Sequence, residues 1–494
     1  MTKKLIIIGA GIAGLSAGCY AKMNGYDAVI FELHNKPGGV CTSWNRKGFT
    51  FDYCIHNLVG TGNDGVRQVW DELHAFKGTE IVNHDTFASV EDIRGNRLNI
   101  YTDLEKLERH LKEMAPEDSK AIEEYIKAGN SLAGAGFFSM GLGGTMSKLK
   151  MAPYIFKIMK WGKVTLADYA EKFSNEFLKK AFPHFQYNIP GSDMPMFPHL
   201  LFLAGFKSGD LGWPKGGSLE FSKRIEQRFI ELGGEIRYRE PVEKIMVKNG
   251  NAVGVILADG TTHYGDAVIS AADGHEIIYE ILDGKYTNSL IDSYYNDYID
   301  EQSFGLTVYL GINRDLSGEP HAITLLLDEP VTLELKEVDS LYLELFDSST
   351  GLVPEGKSII KVVSEGNYGY WKDLRADMVK YRLEKESVYK KVLKVLEERF
   401  PEIEGQVEVF DVTTPVTVER FTRNFHGLQP WPVLDGEMKV MMGGLSKTLP
   451  GLKNFYMVGQ WAGAMIGISN AAVTGRNVIK ELCKKDKKKF RVLE

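Results

Sequence analysis

Three glycines near the start of the chain have a spacing suited to binding the phosphates of a nucleotide. Gly9, Gly11 and Gly14 form the pattern Gly-x-Gly-x-x-Gly directly after the apolar run 5–8. In such a pattern the first glycine allows a tight turn and the second lets the backbone approach a pyrophosphate, while the third lets the following helix pack close to the strand. The unpaired N–H groups at the start of that helix attract phosphate charge.

An acidic side chain completes this pattern. Glu32 ends a second apolar segment, residues 28–31, at the distance from the glycines that is typical of a ribose-binding acid. Strand, glycine loop, helix, strand and acid together predict a βαβ unit that binds a dinucleotide. The residues predicted to hold it in this unit are Gly9, Gly11, Ile12, Ala13, Gly14, Glu32 and Leu33.

The elements that must position these residues indicate an α/β fold. The runs 5–8 and 28–31 are continuously apolar, as in parallel strands that are buried on both faces. Helical stripes follow at 219–232 and at 468–482. We therefore expect a doubly wound, Rossmann-type parallel sheet with an inserted α+β substrate domain.

Further segments resemble a known family. The residues 34–39 end in Gly38-Gly39, which resembles the second cofactor contact of the FAD-dependent flavoprotein superfamily that includes amine oxidases and phytoene desaturases. More narrowly, the chain is similar to phytoene desaturases, carotenoid isomerases and retinol saturases. The segments that carry this similarity follow the family's order and are 48–52, 213–218, 241–245, 267–273, 454–460 and 467–470. The resemblance as a whole extends over about half of the chain.

The resemblance implies that FAD is the cofactor and adds binding residues in three parts of the chain. These are Gly38, Gly39, Val40, Val242, Ala271, Gly459, Gln460, Gly467 and Ile468. Two of them depart from the family's pattern, since many relatives have arginine in place of Val40 and an acid in place of Gln460. Both departures weaken the transfer of individual contacts, and neither affects the expected fold.

The positions of these segments divide the chain. Residues 1–75, 210–290 and 405–494 are expected to form the FAD-binding domain, and residues 76–209 and 291–404 the substrate domain. Apolar runs in the inserted parts, such as 137–140 and 194–203, would either line a tunnel for a long hydrocarbon or form core.

Composition narrows the class of protein. The chain has 494 residues with a formal net charge of −7, whereas a nucleic-acid binder would carry a basic surplus. The four cysteines form no Cys-x-x-Cys pair, so we expect neither a metal site nor a disulfide framework. The uncharged runs 5–21 and 455–475 contain several glycines and are interpreted as parts of the fold rather than as a signal peptide or a membrane span.

One segment suggests a membrane surface. Residues 125–167 contain six lysines and no acidic residue, and apolar side chains stand between the last lysines. This pattern predicts either a helix near 148–163 that docks on an anionic membrane or an ordinary surface helix. The first alternative would make a cytoplasmic protein peripheral on the inner face of the membrane.

The catalytic candidates are few. His56 follows the second cofactor segment and could transfer a proton, or it could be structural. Glu419, Arg420 and His426 precede the last cofactor strand; of these we single out Arg420, which could hold a substrate carboxylate. Covalent flavin attachment at Cys41 or Cys54 is conceivable, although isolated cysteines usually serve as small apolar residues.

Three classes of function remain open. The favoured prediction is an FAD-dependent oxidoreductase that desaturates, saturates or isomerises C=C/CH–CH bonds of a hydrophobic isoprenoid, carotenoid or other lipid. The alternatives are a flavin amine oxidase and a non-redox, FAD-dependent isomerase or hydratase of unsaturated lipids. The sequence does not identify the electron acceptor.

Overall fold

The computed structural model describes residues 2–62, 65–133, 152–186, 194–297, 302–427, 446–462 and 467–493. Within these ranges the strands are β1 Lys4–Ile8, β2 Asp27–Glu32, β3 Ser43–Arg46, β4 Phe49–Asp52, β5 Leu58–Val59, β6 Ile81–Val82, β7 Thr86–Asp92, β8 Arg97–Tyr101, β9 Leu211–Pro214, β10 Glu235–Tyr238, β11 Val242–Lys248, β12 Asn251–Leu257, β13 Thr262–Tyr264, β14 Ala267–Ser270, β15 Gln302–Ile312, β16 Ala322–Leu333, β17 Lys336–Phe346, β18 Ser358–Asn367, β19 Val407–Thr413 and β20 Phe455–Met457.

The α-helices of the described residues follow in chain order. They are α1 Ile12–Met23, α2 Gly65–Glu72, α3 Leu104–Met114, α4 Ser119–Asn130, α5 Ile155–Trp161, α6 Leu166–Ala170, α7 Glu176–Ala181, α8 Met196–Lys207, α9 Gly217–Glu231, α10 Ser289–Asp297, α11 Tyr368–Arg375, α12 Met378–Arg399, α13 Pro415–Thr422 and α14 Ile468–Lys485. Among the described residues, no helix has both the length and the apolar character needed to cross a bilayer.

A five-stranded parallel sheet forms the first layer, in the order β10-β2-β1-β14-β20. Its central strand β1 is buried on both faces, as the continuous apolar run predicts. Helices α1 and α14 pack together beside it. At Gly14, a Cβ atom would lie 2.0 Å from the carbonyl oxygen of Gly9, so this glycine is needed for the close packing of helix and loop. The Rossmann-type fold class expected from the sequence is therefore confirmed.

A seven-stranded sheet forms the second layer, in the order β19-β15-β18-β17-β16-β7-β8. Its neighbouring strands are antiparallel except for β16 and β7. Helix α12 buries Val388, Val392 and Leu396 in the apolar core that this sheet forms on one face. Helices α3, α4 and α8 contribute to a second core that also contains side chains of β7, β8 and β16.

One boundary of the expected division differs in the structure. The sequence-based division assigned β19 to the cofactor-binding part, but β19 pairs with β15, Thr413 opposite Thr307, in the seven-stranded sheet. Helix α13, which follows β19, also contacts β15. The membership of a strand depends on hydrogen bonds to residues far away in the chain, so local sequence patterns did not reveal it.

The apolar run 194–203 was expected either to line a substrate tunnel or to form core, and the structure decides between these two roles. Residues 196–203 fall in helix α8, where Met196, Leu200 and Leu203 are completely buried within the second core. This run is therefore core. The other run, 137–140, lies outside the described residues.

Candidate functional site

A cavity of about 590 Å³ opens at the carboxyl ends of the parallel strands. Its wall includes Ile8 at the end of β1, Glu32 at the end of β2 and Ala271 directly after β14. In open α/β sheets ligands bind in the crevice at this edge, and the volume lies in the range of small-molecule and cofactor sites.

The glycine loop forms one wall of this cavity. Gly11 precedes the first residue of α1, and its backbone forms an isolated bridge with Gly38. The N–H group of Gly38 donates to the carbonyl oxygen of Ala10 at 2.9 Å, which joins the two glycine segments. The N-terminus of α1 carries no acidic side chain in its first turn. Its free N–H groups and partial positive charge can therefore serve an anion.

Gly11 lacks a side chain for a reason other than backbone strain. Its φ of −66° and ψ of 172° are accessible to any residue. The nearest atom that a Cβ at this position would meet is the carbonyl oxygen of Gly38, at 3.9 Å. Local packing would thus tolerate a larger residue, but its side chain would enter the cavity. By contrast, Gly38 has a φ of 110°, and a Cβ there would lie 2.2 Å from the carbonyl oxygen of Cys41.

Glu32 lies on the cavity wall in the place expected for a ribose ligand. Its carboxylate accepts hydrogen bonds from the N–H groups of Ala10 (2.6 Å) and His34 (2.7 Å), and the residue is only 8% exposed. Burial raises the pKa of this carboxyl, and the backbone N–H donors oppose the rise. The two donors fix the orientation of a carboxylate that still faces the cavity.

A second helix N-terminus lies on the same cavity. Gly467 precedes α14 with a φ of 121°, and both Gly467 and Ile468 line the wall. Beside them, the N–H group of Gly459 donates to the hydroxyl of Thr474 at 2.8 Å, which ties the end of the last parallel strand to α14. The cavity thus runs between two helix N-termini contributed by opposite ends of the chain.

Most of the sequence-predicted cofactor residues meet on this one cavity. Those that line it are Gly9, Gly11, Ile12, Ala13, Glu32, Leu33, Gly38, Gly39, Val40, Val242, Ala271, Gly459, Gln460, Gly467 and Ile468. Gly14 does not line it and has a packing role instead. Arg420, predicted as a substrate contact, is also part of the wall.

His56 is not among the described residues that line this cavity. Its Nδ1 contacts the carboxylate of Glu344 on β17, and Lys361 of β18 lies on the other oxygen of that carboxylate at 2.7 Å. The ammonium of Lys361 also donates to the carbonyl oxygen of Tyr53, at 3.2 Å, and Tyr53 does line the cavity. His56 therefore belongs to a charged cluster directly behind the cavity wall.

The cysteine candidates are placed differently from each other. Cys41 lines the cavity but is only 1% exposed, and burial raises the pKa of its thiol well above the usual value. Because the thiolate is the reactive form, a buried thiol of this kind is a poor nucleophile. Cys54 is partly buried and is not among the described lining residues.

Several residues of β3, of the second sheet and of its helices contribute to the cavity without any motif that predicted them. The indole N–H of Trp44 donates to Asp411 of β19 at 3.0 Å. The hydroxyl of Tyr381 on α12 lies within 3.1 Å of the hydroxyls of Thr414 and Thr417. Trp44, Asp411, Tyr381 and Thr417 all line the cavity. One continuous space therefore connects the glycine loop with the second sheet.

The fold and this site together define a protein with a dinucleotide-binding type of α/β unit and a cavity to which strand β19 of the second sheet and helices α11, α12 and α13 also contribute. A family model described as an NAD(P)-binding Rossmann-like domain matches residues 7–73. A chloroplastic prolycopene isomerase of Daucus carota is 25% identical over 463 residues, which cover 89% of this chain and 73% of that protein. A lycopene-forming phytoene desaturase of Pseudescherichia vulneris is 25% identical over 281 residues, 55% of this chain and 56% of that protein.

Among solved structures, putrescine oxidase with bound putrescine has a TM-score of 0.63 and 13% sequence identity, covering 98% of this chain and 99% of that one. At this identity the likeness shows the fold alone. The two sequence comparisons confirm the similarity to phytoene desaturases and carotenoid isomerases that the sequence motifs indicated. The family model and the solved structure confirm the Rossmann-type fold. The chain is similar to a prolycopene isomerase and a phytoene desaturase and has a Rossmann-type architecture.

Proposed function

We propose that the chain is an FAD-dependent oxidoreductase that desaturates, saturates or isomerises C=C/CH–CH bonds of a hydrophobic isoprenoid, carotenoid or other lipid. The observation that carries this proposal is the single cavity that links the glycine loop to the wall of Trp44, Tyr53 and Tyr381. A cofactor held at the loop would face a substrate held against that wall. The likeness to an isomerase and a desaturase of polyenes supports the substrate class.

The residues present fit FAD. The N-terminus of α1 and the bare backbone of Gly11 would receive the diphosphate, and Glu32 would accept hydrogen bonds from a ribose. Val242 lies on the cavity wall and would contact the adenine, as the resemblance implies. The N-terminus of α14 would lie beside the isoalloxazine, as the resemblance implies. Glycine at position 11 is explained by a ligand, because neither its backbone angles nor its neighbours require it.

When bound, FAD would supply hydride exchange with a carbon of the substrate. The chain's own residues would orient the hydrocarbon and exclude water from it. His56, whose Nδ1 contacts the carboxylate of Glu344, is our proposed proton carrier. Arg420 is proposed to bind a polar end of the substrate from the cavity wall.

The direct test is anaerobic bleaching of the purified yellow protein. Candidate reduced polyenes such as phytoene should bleach the flavin absorbance if the chain desaturates them. If the chain saturates its substrate, the chemically reduced protein should instead be reoxidised by lycopene. Lipids extracted from the purified protein and identified by mass spectrometry would narrow the set of candidates. A flavin that no polyene or co-purified lipid reduces, reoxidises or isomerises would contradict the proposal.

Isomerisation has a specific observation in its favour, since the prolycopene isomerase matches over most of both chains. It predicts that prolycopene changes geometry only when the flavin is reduced, with no net consumption of reductant. Chromatography of the isomers beside a count of reducing equivalents would separate this reaction from desaturation.

We also propose that the protein is peripheral on the cytoplasmic face of a membrane and that helix α5 contacts the lipid. Ile155, Phe156 and Met159 are 49%, 82% and 51% exposed, although they are apolar. Lys160 beside them pairs with Glu124, and Lys148 and Lys150 lie outside the described residues. In co-sedimentation with anionic vesicles, Phe156→Glu should weaken binding, and unchanged binding would exclude α5 as a contact.

A further inference from the structure

Two free cysteines meet at the open end of the hairpin that β3 and β4 form. The antiparallel register of these strands continues one residue beyond them, because the N–H group of Tyr53 donates to the carbonyl oxygen of Thr42 at 3.1 Å. One further step along the same register brings Cys41 opposite Cys54. Both residues carry free thiols.

The position of this cysteine pair in the register brings the two side chains close together. Because Thr42 and Tyr53 form a hydrogen-bonded pair, the next pair along the hairpin is of the non-hydrogen-bonded type. Residues in such a pair have Cα atoms about 4.5 Å apart and side chains on the same face. Disulfides usually join residues whose Cα atoms are about 4.4–6.8 Å apart. The register therefore suits a bond between Cys41 and Cys54.

Contacts around Ser218 on α9 support this placement. The thiol of Cys41 donates to the carbonyl oxygen of Ser218 at 3.5 Å, and the N–H group of Ile55 donates to the hydroxyl of the same serine at 3.0 Å. The segments that contain the two cysteines thus converge on one residue. Burial raises the pKa of the Cys41 thiol, and Cys54 lies close enough to raise it further. The two thiols are therefore neighbours in the folded protein.

The two thiols differ in their access to solvent. Cys54 is partly buried, whereas Cys41 lines the cavity but is only 1% exposed. A reagent in solution therefore meets Cys54 first, and Cys41 then reacts with its neighbour from inside the wall. The remaining cysteines, Cys19 and Cys483, are completely buried and provide an internal comparison.

We propose that Cys41 and Cys54 are a redox modification site, at which a low-molecular-weight disulfide such as glutathione disulfide links them reversibly. The Cys54 thiolate attacks the reagent and forms a mixed disulfide with one glutathione, while the other glutathione leaves and takes up the proton that Cys54 has released. The sulfur of Cys41 then attacks the sulfur of Cys54. The bond between the two cysteines forms, and the second glutathione leaves with the proton of Cys41. Two electrons pass in total from the cysteines to the reagent, which ends as two glutathione thiols.

The bond would lie in the wall of the cavity. Cys41 follows the second glycine segment, and Cys54 stands two residues before His56. Oxidation would therefore tie these two segments together beside the proposed cofactor site. Disulfides that are strained or accessible are the labile and regulatory ones, so a dithiol should reopen this bond. The inference depends neither on the substrate nor on the reaction, and it goes beyond the proposed function.

The test is incubation of the FAD-loaded, full-length protein with glutathione disulfide, followed by unfolding, alkylation, digestion and mass spectrometry. Trypsin cuts after Arg46 and Lys47, which lie between the two cysteines, so the bond joins the otherwise separate peptides 23–46 and 48–67. We expect this linked pair of peptides and alkylation of two thiols in place of four. Dithiothreitol should restore alkylation of all four.

Two variants and a control locate the bond. Cys54→Ser should abolish the linked peptides. Cys41→Ser should stop at the mixed disulfide between Cys54 and glutathione, because the second thiol is missing. Cys19→Ala is the matched control at a completely buried cysteine on α1, and it should form the linked peptides as the wild type does.

Two results would overturn the inference. The first is wild-type protein in which all four cysteines remain open to alkylation, or in which only the mixed disulfide at Cys54 accumulates. The second is a bond that joins two chains or that involves Cys19 or Cys483. Flavin content and bleaching by polyenes are measured on the reduced protein, so either result would leave the proposed function standing.

Discussion

Glu344 and Lys361 face each other across neighbouring strands in the interior of the protein. They are directly opposed in the register of β17 and β18, and Lys361 Nζ lies 2.7 Å from Glu344 Oε2. Their side chains are 6% and 1% exposed. Burial by itself would raise the pKa of Glu344, but the charges of His56 and Lys361 hold it well below its usual value. The carboxylate that orients His56 therefore stays ionised.

Removing one partner of this pair should be costly. Lys361→Met would remove the ammonium group from the buried carboxylate of Glu344, and breaking a buried pair in this way destabilises proteins by about 3–5 kcal/mol. Urea unfolding checks the free energy of unfolding. The control is Lys390→Met, which breaks an exposed pair with Glu386 at 2.8 Å and should cost about 0.5 kcal/mol or less. An equal loss of unfolding free energy in the two variants would show that the buried pair stabilises the fold no more than the exposed pair does.

Replacing His56 tests its proposed role in proton transfer. His56→Ala should retain its flavin, and turnover of the substrate found by bleaching should fall by about 10²–10⁴-fold, the usual contribution of a general acid or base. Added imidazole should restore part of the turnover, which a purely structural role would not allow. His110→Ala, at a histidine on α3 that accepts from the N–H group of Asn99, should leave turnover unchanged. Turnover that is also unchanged in His56→Ala would remove this residue from the mechanism.

Gly11→Val tests the cofactor site without any substrate. The variant should fold with nearly wild-type stability, because its backbone angles suit valine and a Cβ meets nothing closer than 3.9 Å. Its flavin content after purification should fall to a small fraction of the wild-type value. Gly318→Val, where a Cβ meets no heavy atom within 4 Å, should keep its full flavin content. Full flavin content in Gly11→Val would mean that the diphosphate lies elsewhere.

Acid should destabilise the protein through His199. This residue is completely buried, its Nε2 lies 2.7 Å from the hydroxyl of Tyr125, and burial lowers its pKa to about 3. The unfolded chain binds this proton near pH 6.5, so stability falls as the pH drops below that value, by about 2 kcal/mol at pH 5. His199→Gln cannot titrate and should lose correspondingly less stability between pH 7 and pH 5. Identical pH dependence of the two unfolding free energies would contradict this assignment.

Local patterns predicted one part of the site well. The strand β1, the turn at Gly9 and the acid at the end of β2 are neighbours in the chain, and the geometry of a βαβ unit follows from such short-range relationships. The stripe Ile225 and Phe229 on α9 is likewise buried as its helical spacing predicts. The role of Gly14 in packing, and not in lining the cavity, needed the position of the Gly9 carbonyl.

Other features could not be predicted in this way. The pairing of β19 with β15 joins residues about a hundred positions apart, and the local sequence of neither strand indicates which strand it pairs with. The same holds for Trp44 with Asp411 and for His56 with Glu344. On α5, helical periodicity places Phe156 on an apolar face, but only the packing of neighbouring helices decides that this face is exposed.

By itself, therefore, the sequence determined the nucleotide-binding unit, the α/β class and the family resemblance, because these depend on residue types at short and regular spacings. Only the tertiary structure decided which side chains complete the cavity, where His56 lies and which apolar residues stay in contact with solvent. These features arise when distant segments pack against each other, and the side chains that meet there share no spacing along the chain.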